Sequence, residues 1–131
     1  MRSSIAVALT VMGCVMTLPA AAQDATSLNG TWKGPRDRIH STQGNRSDTI
    51  TYVISEQNGM TFRAKAIYQT VEGEKSETFV GAFPRSGSFG VGAGKNGTHL
   101  FEIVDAQTIN FCYTEVGEQH LTSCGTLTKQ P

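Results

Sequence analysis

Between Leu28 and Lys129 the chain alternates apolar and polar residues in short runs, each closed by turn-forming residues, a pattern that predicts strands. Asp48 to Gln57 sets Ile50, Tyr52 and Ile54 against Thr49, Thr51, Val53 and Ser55, and it stops at Asn58-Gly59, a strong hairpin signal. Met60 to Val71 answers it, with Phe62, Ala64, Ala66 and Tyr68 on one face and Arg63, Lys65, Ile67 and Gln69 on the other. After the polar turn Glu72 to Ser76, Glu77 to Phe83 puts Phe79, Gly81 and Phe83 on one face. Pro84 to Gly87 turns again, Ser88 to Ala93 carries Phe89 and Val91, and Gly94 to Gly97 is the next turn. Thr98 to Val104 sets His99, Phe101 and Ile103 against Leu100, Glu102 and Val104, and Asp105-Ala106 leads onward. A first strand around Leu28 to Lys33 and two at the C-terminal end bring the count to eight, and no long segment has helical periodicity.

The last two strands predict their own register. Gln107 to Glu115 places Ile109, Phe111 and Tyr113 on one face and Asn110, Cys112 and Thr114 on the other, and Leu121 to Thr128 places Leu121 and Leu127 together. Folding them about Glu118 sets Cys112 opposite Cys124, Ile109 opposite Leu127, and Phe111 opposite Gly125, with the Phe111 ring covering the gap at that glycine. Cys112 and Cys124 are thus expected to form a disulfide on the face away from the core.

Eight short strands joined by consecutive tight turns are most simply an antiparallel up-and-down meander, and closing it into a barrel removes exposed edges. The fold class is therefore all-β, a small eight-stranded antiparallel barrel, with an eight-stranded β-sandwich as the alternative. Gly81, Gly90, Gly92 and Gly125 fall in or beside strands, where small barrels need close backbone approach. In a meander, one end collects the polar segment Gly34 to Ser47, Glu72 to Ser76, Gly94 to Gly97 and Val116 to Gln119. The other end has Asn58-Gly59, Pro84 to Gly87 and Asp105-Ala106, all short, so binding residues are expected at the long-loop end.

Leu28-Asn29-Gly30-Thr31-Trp32-Lys33-Gly34 contains Gly30-x-Trp32, which resembles the G-x-W signature opening the first strand of lipocalins and their avidin-like relatives. The resemblance implies a barrel whose floor is closed by Trp32 and whose interior holds a small ligand. The last strand offers Lys129, and no Arg, to cover that Trp as lipocalins do, and Trp32 stands alone where avidin sites use several Trp residues.

Upstream of the strands, a lone Arg2, an apolar run from Ile5 to Leu18 and Pro19-Ala20-Ala21-Ala22 before Gln23 read as a secretory signal peptide over residues 1–22. Such a chain is exported, to a periplasm or out of the cell, where a disulfide persists. A membrane anchor and lipoprotein processing at Cys14, after Val11-Met12-Gly13, are the alternatives. Removing residues 1–22 from 131 leaves 109, one domain over residues 23–131. Its 10 basic and 11 acidic residues give a formal charge of −1 spread along the chain, unlike the concentrated basic footprint of a nucleic-acid binder. No stretch after the leader is apolar for long enough to span a membrane as a helix.

Candidate chemistry gathers at the long-loop end. Tyr52, Tyr68 and Tyr113 carry hydroxyls on inward faces, and Arg36 and Arg38 (with Arg46) could hold a carboxylate or phosphate; Trp32, in the floor that the resemblance implies, is also counted as a candidate ligand-binding residue. Ile50, Ile54, Phe62, Phe79, Phe83, Phe89, Phe101, Ile103 and Phe111 complete the expected inward set. His40, His99 and His120 belong to the same end, near Glu74, Glu77 and Glu118, but their spacing matches no metal motif and solvated rim residues are expected; no cofactor is implied. Gly87-Ser88-Phe89-Gly90 is not a nucleophile elbow and Gly92-Ala93-Gly94 not a phosphate loop, so catalysis is not expected. Three N-x-S/T triplets, at Asn29, Asn45 and Asn96, matter only in a glycosylating secretory system. The expected function is an exported, non-enzymatic binding protein for a small, partly apolar ligand. The alternative is an interaction module, such as an inhibitor or envelope accessory, that meets an envelope or extracellular protein and has a filled core.

Overall fold

A computed structural model describes residues 26–85 and 87–131. Eight antiparallel strands follow one another: β1 (Gly30–His40), β2 (Gly44–Asn58), β3 (Thr61–Thr70), β4 (Gly73–Ala82), β5 (Phe89–Gly94), β6 (Gly97–Ile103), β7 (Thr108–Glu115) and β8 (Leu121–Lys129). Each pairs with the next, and β8 returns to β1, so the sheet closes into a barrel and not a sandwich. The leader, the cleavage point before Gln23 and Cys14 lie outside the described residues.

Between β7 and β8 the expected register is observed throughout: Ile109 faces Leu127, Phe111 faces Gly125, and Cys112 faces Cys124 in a disulfide. The atoms nearest the missing side chain of Gly125 come from β1. A Cβ there would lie 2.3 Å from Pro35 O and 3.0 Å from Arg36 Cα, because β1 presses directly on β8. Gly34 makes the reciprocal approach, where a Cβ would lie 1.9 Å from Thr126 O. Two glycines thus let the first and last strands close the barrel.

The polar segment 34–47 is not a loop. β1 runs to His40 and β2 starts at Gly44, so Ser41 to Gln43 alone connect them. The segment is polar because its inward positions, Arg36 and Arg38, find Asp48 rather than an apolar core, while its outward positions face water. The expected contrast between long and short loops therefore fails, and Phe83 to Ser88, at the opposite end, is the longest connection. Phe89 is a second correction: it is 68% exposed and points outward with Val91. Gly90 and Gly92 take the inward positions of β5, since the Phe101 ring would meet a Cβ at Gly90 within 2.3 Å and the Phe79 ring one at Gly92 at 3.0 Å. Rings from neighbouring strands outweigh the local hydrophobic signal.

Inside, Tyr52, Phe62, Phe79, Phe101 and Phe111 pack edge-to-face or tilted with centroids 5.1–6.2 Å apart, together with Ile50, Ile54, Ile109 and Leu127. The interior is filled by its own side chains, as the small circumference of eight strands favours.

One end is a floor. Trp32, fully buried, donates Nε1–H to Leu28 O at 2.8 Å, and Lys129 Nζ stands 5.3 Å from its ring centroid while donating to Ser27 O. The lysine thus covers the Trp. A bulge in β2 between Ile54 and Glu56 re-phases the strand, and Gln57 Oε1 accepts from Leu28 N at 2.6 Å while its amide donates to Thr26 O and Gly59 O.

Candidate functional site

At the other end the alternation inherited from the strands continues, but its inward residues change from apolar to polar. β1 contributes Arg36 and Arg38, β2 Asp48, β3 Tyr68, β4 Glu77, β6 His99 and β7 Tyr113 and Glu115. Arg36, Arg38, Tyr68, Glu77, His99, Tyr113, Glu115 and Leu121 border one cavity of about 40 Å³ at this mouth, with Ile50 and Ala66 below them. That is room for a head group the size of a few water molecules. A wider groove of about 480 Å³ wraps the rim over Ile39, Val116, His120 and Thr122, and it shares Glu115 and Leu121 with the cavity.

Arg36 is buried and ion-paired. Its Nε donates to Asp48 Oδ1 at 2.6 Å and its Nη2 to Oδ2 at 3.3 Å, while Arg38 Nε lies 3.5 Å from Oδ2. One carboxylate thus serves two guanidiniums. Burial, only partly offset by Asp48, holds the Arg38 guanidinium below its ordinary pKa. Arg36 also sits 5.6 Å from the ring centroid of half-buried Tyr68.

Below the cavity, His99 is 2% exposed. It stacks on Phe79 at 3.9 Å and 15°, lies 4.7 Å from the Tyr113 ring, and its Nδ1 is 2.8 Å from Tyr52 Oη. Desolvation lowers its pKa to about 4, so the imidazole is neutral at ordinary pH. Tyr52 is equally buried and among the described residues its hydroxyl has this one partner; we assign the hydroxyl as donor to Nδ1, which puts the proton of the imidazole on Nε2. That Nε2 has no hydrogen-bond partner among the described residues. Tyr113 Oη donates to Glu115 Oε2 at 3.2 Å. Burial, then the charges of Glu77 and Glu115, push the Tyr113 hydroxyl well above the ordinary phenol range and raise that of Tyr68. Glu77 Oε1 accepts from Asn96 N at 3.0 Å.

Of the residues expected to bind ligand, Arg36, Arg38, Tyr68 and Tyr113 share the cavity wall, Tyr52 lies one layer beneath, and Trp32 is in the floor at the far end. His99 belongs to the buried layer and not to the solvated rim. Burial follows from its phase, since it alternates with Phe101 and Ile103. His40 ends β1 and His120 caps Gly117 O, and among the described residues no three His, Cys, Asp or Glu side chains gather as a metal site.

No protein-family model and no curated protein matches the chain. Among solved structures it is similar to a redesigned beta barrel, with a TM-score of 0.59 and 15% identity over 79% of this chain and 92% of that one. The likeness is one of fold.

Asp48 and Glu115 are the site residues that polarity hid, each in phase with an apolar or aromatic neighbour two residues away, Ile50 and Tyr113. Extending the inward face by one step through a charged residue finds them. The sequence places His99 and Glu77 at this end, but as solvated rim residues. Chemically, the mouth offers donors on β1 and β6, acceptors on β4 and β7, and aromatic surface between them.

Proposed function

We propose that the chain is an exported, non-enzymatic binding protein that holds a small, partly apolar molecule at the barrel mouth, with the molecule's polar end in the Arg36–Tyr68–His99–Tyr113 pocket. The observation that carries this reading is His99: a buried imidazole in the wall of a polar cavity, fixed through Nδ1 and unpartnered at Nε2. A buried polar atom without a partner is rare and calls for a group to satisfy it. The filled interior counts against a ligand in the middle of the barrel and favours the interaction-module alternative on that point, so the reading is confined to the mouth, where the rim groove gives an apolar body somewhere to lie. The leader supports export, and Gly30-x-Trp32, with Lys129 over the Trp, supports kinship of design with lipocalin-like carriers. Native mass spectrometry of protein exported from its own host tests this. A retained small molecule is expected, lost in Tyr68→Ala or Tyr113→Ala and kept in Gly59→Asn at the floor. Retention unaffected by the mouth variants would refute it.

A second reading, an interaction module for an envelope or extracellular protein, draws on the outer face. Phe89, Val91 and Leu100 are each more than half exposed beside Cys112, around a depression of about 430 Å³. A co-purified protein lost in Leu100→Lys and retained in Tyr68→Ala would favour it.

A further inference from the structure

The mouth holds unmatched charge of both signs. On β1, Arg36 and Arg38 share the single carboxylate of Asp48, which leaves one positive charge over. Across the same cavity, Glu77 on β4 and Glu115 on β7 are half-buried, and among the described residues neither has a Lys or Arg nitrogen within 4.0 Å. The neighbouring lysine, Lys75, is taken by Glu72. Glu77 holds a backbone N–H and Glu115 a tyrosine hydroxyl, so each is anchored by neutral donors that leave its charge in place.

Resting on the mouth-binding reading, we infer that the ligand's polar end is zwitterionic, an ammonium and a carboxylate on one carbon, as in a free α-amino acid with an apolar side chain. The carboxylate meets Arg36, Arg38 and the Nε2–H of His99, and the ammonium meets Glu77 and Glu115. A group bearing only negative charge would face the two glutamates, and one bearing only positive charge would face the two guanidiniums; both pairings are repulsive in a partly desolvated site. The cavity of about 40 Å³ suits a head group alone, and Leu121, shared with the rim groove, marks where the side chain leaves it towards Val116 and Ile39. Val116 and Ile39 are exposed aliphatic side chains, so the apolar body gains contact there.

Isothermal titration of the protein with L-leucine, leucinamide, 4-methylpentanoate and leucyl-leucine tests the inference. The second lacks the carboxylate charge, the third lacks the ammonium, and the fourth separates the two charges. Leucine is expected to bind at least about tenfold more tightly than each of the others, a difference of about 1.4 kcal/mol. Glu115→Gln, checked for an intact fold by circular dichroism, should narrow the gap between leucine and 4-methylpentanoate. If 4-methylpentanoate or leucinamide binds as tightly as leucine and Tyr68→Ala abolishes it, the mouth remains the site and the zwitterion is wrong. If leucine shows no binding at millimolar concentration, the inference is overturned, and the retained-ligand measurement decides the mouth reading separately.

Discussion

Tyr52 Oη and His99 Nδ1 lie 2.8 Å apart inside the barrel, on strands that are not neighbours in the sheet. The bond crosses the interior, ties β2 to β6 and fixes the imidazole of a residue that borders the mouth cavity. The pair therefore links the packed core to the polar end.

Neutral His99 makes stability pH-dependent. Its folded pKa, about 4, is below the unfolded value of 6.5, so the unfolded state takes up a proton first as the pH falls. Stability from this residue is complete above about pH 6.5, falls between 6.5 and 4, and levels off below 4, with a total loss of about 3 kcal/mol. Urea denaturation at a series of pH values should show this slope, and His99→Leu should lack it whatever its absolute stability.

Asp48 is the counter-ion of two buried guanidiniums. Asp48→Asn keeps the shape and removes the charge, so it should destabilise by about 3 kcal/mol, as the breaking of a buried ion pair does. Chemical denaturation of the variant beside Asp37→Asn, on the outward face of the same hairpin, gives the comparison; the control should change by less than about 0.5 kcal/mol.

Replacing both Cys112 and Cys124 by Ala should lower stability by about 2–3 kcal/mol, since the bridge closes a short loop, and leave the far-ultraviolet dichroism of the barrel unchanged. Non-reducing peptide mapping of the exported protein should find the two joined. Free thiols there would count against export to an oxidising compartment.

Gly125→Ala forces a methyl group into Pro35 O, and the obstacle is backbone, which cannot swing aside. The variant should lose the β1–β8 seam and fail to give a cooperative thermal transition. Gly59→Asn is the control: its φ of 58° is one that Asn tolerates, and no atom lies within 4 Å of the added Cβ. A cooperative transition of Gly125→Ala near that of the parent would show that the seam is not sterically locked.

Strand count, meander order and the β7–β8 register were legible because two-residue alternation and Asn58-Gly59 are local signals, and Cys112 opposite Cys124 fixes pairing in one step. The length of β1 was not. Arg36 and Arg38 look like loop residues until Asp48 is known to sit opposite, and that pairing exists only once the hairpin forms. Phe89 was misplaced for a related reason: the rings that claim the interior at Gly90 and Gly92 belong to β6 and β4, which no window of sequence around β5 contains. Tyr68 and Tyr113 border the cavity because tyrosines in phase with apolar neighbours fall on the inward face, whereas Arg36 and Arg38 reach it through the β1–β2 pairing. Trp32 lies in the floor, where the Gly30-x-Trp32 resemblance puts it, and so away from the mouth cavity, since alternation reports side and not depth.

The described chain enters and leaves the barrel on the floor side, with Gln130 N donating to Thr31 O and Lys129 reaching Ser27 O. A tether attached where the described residues begin or end, at Thr26 or Pro131, starts beneath Trp32, so immobilising the barrel through those points turns the Arg36–Glu115 pocket away from the support.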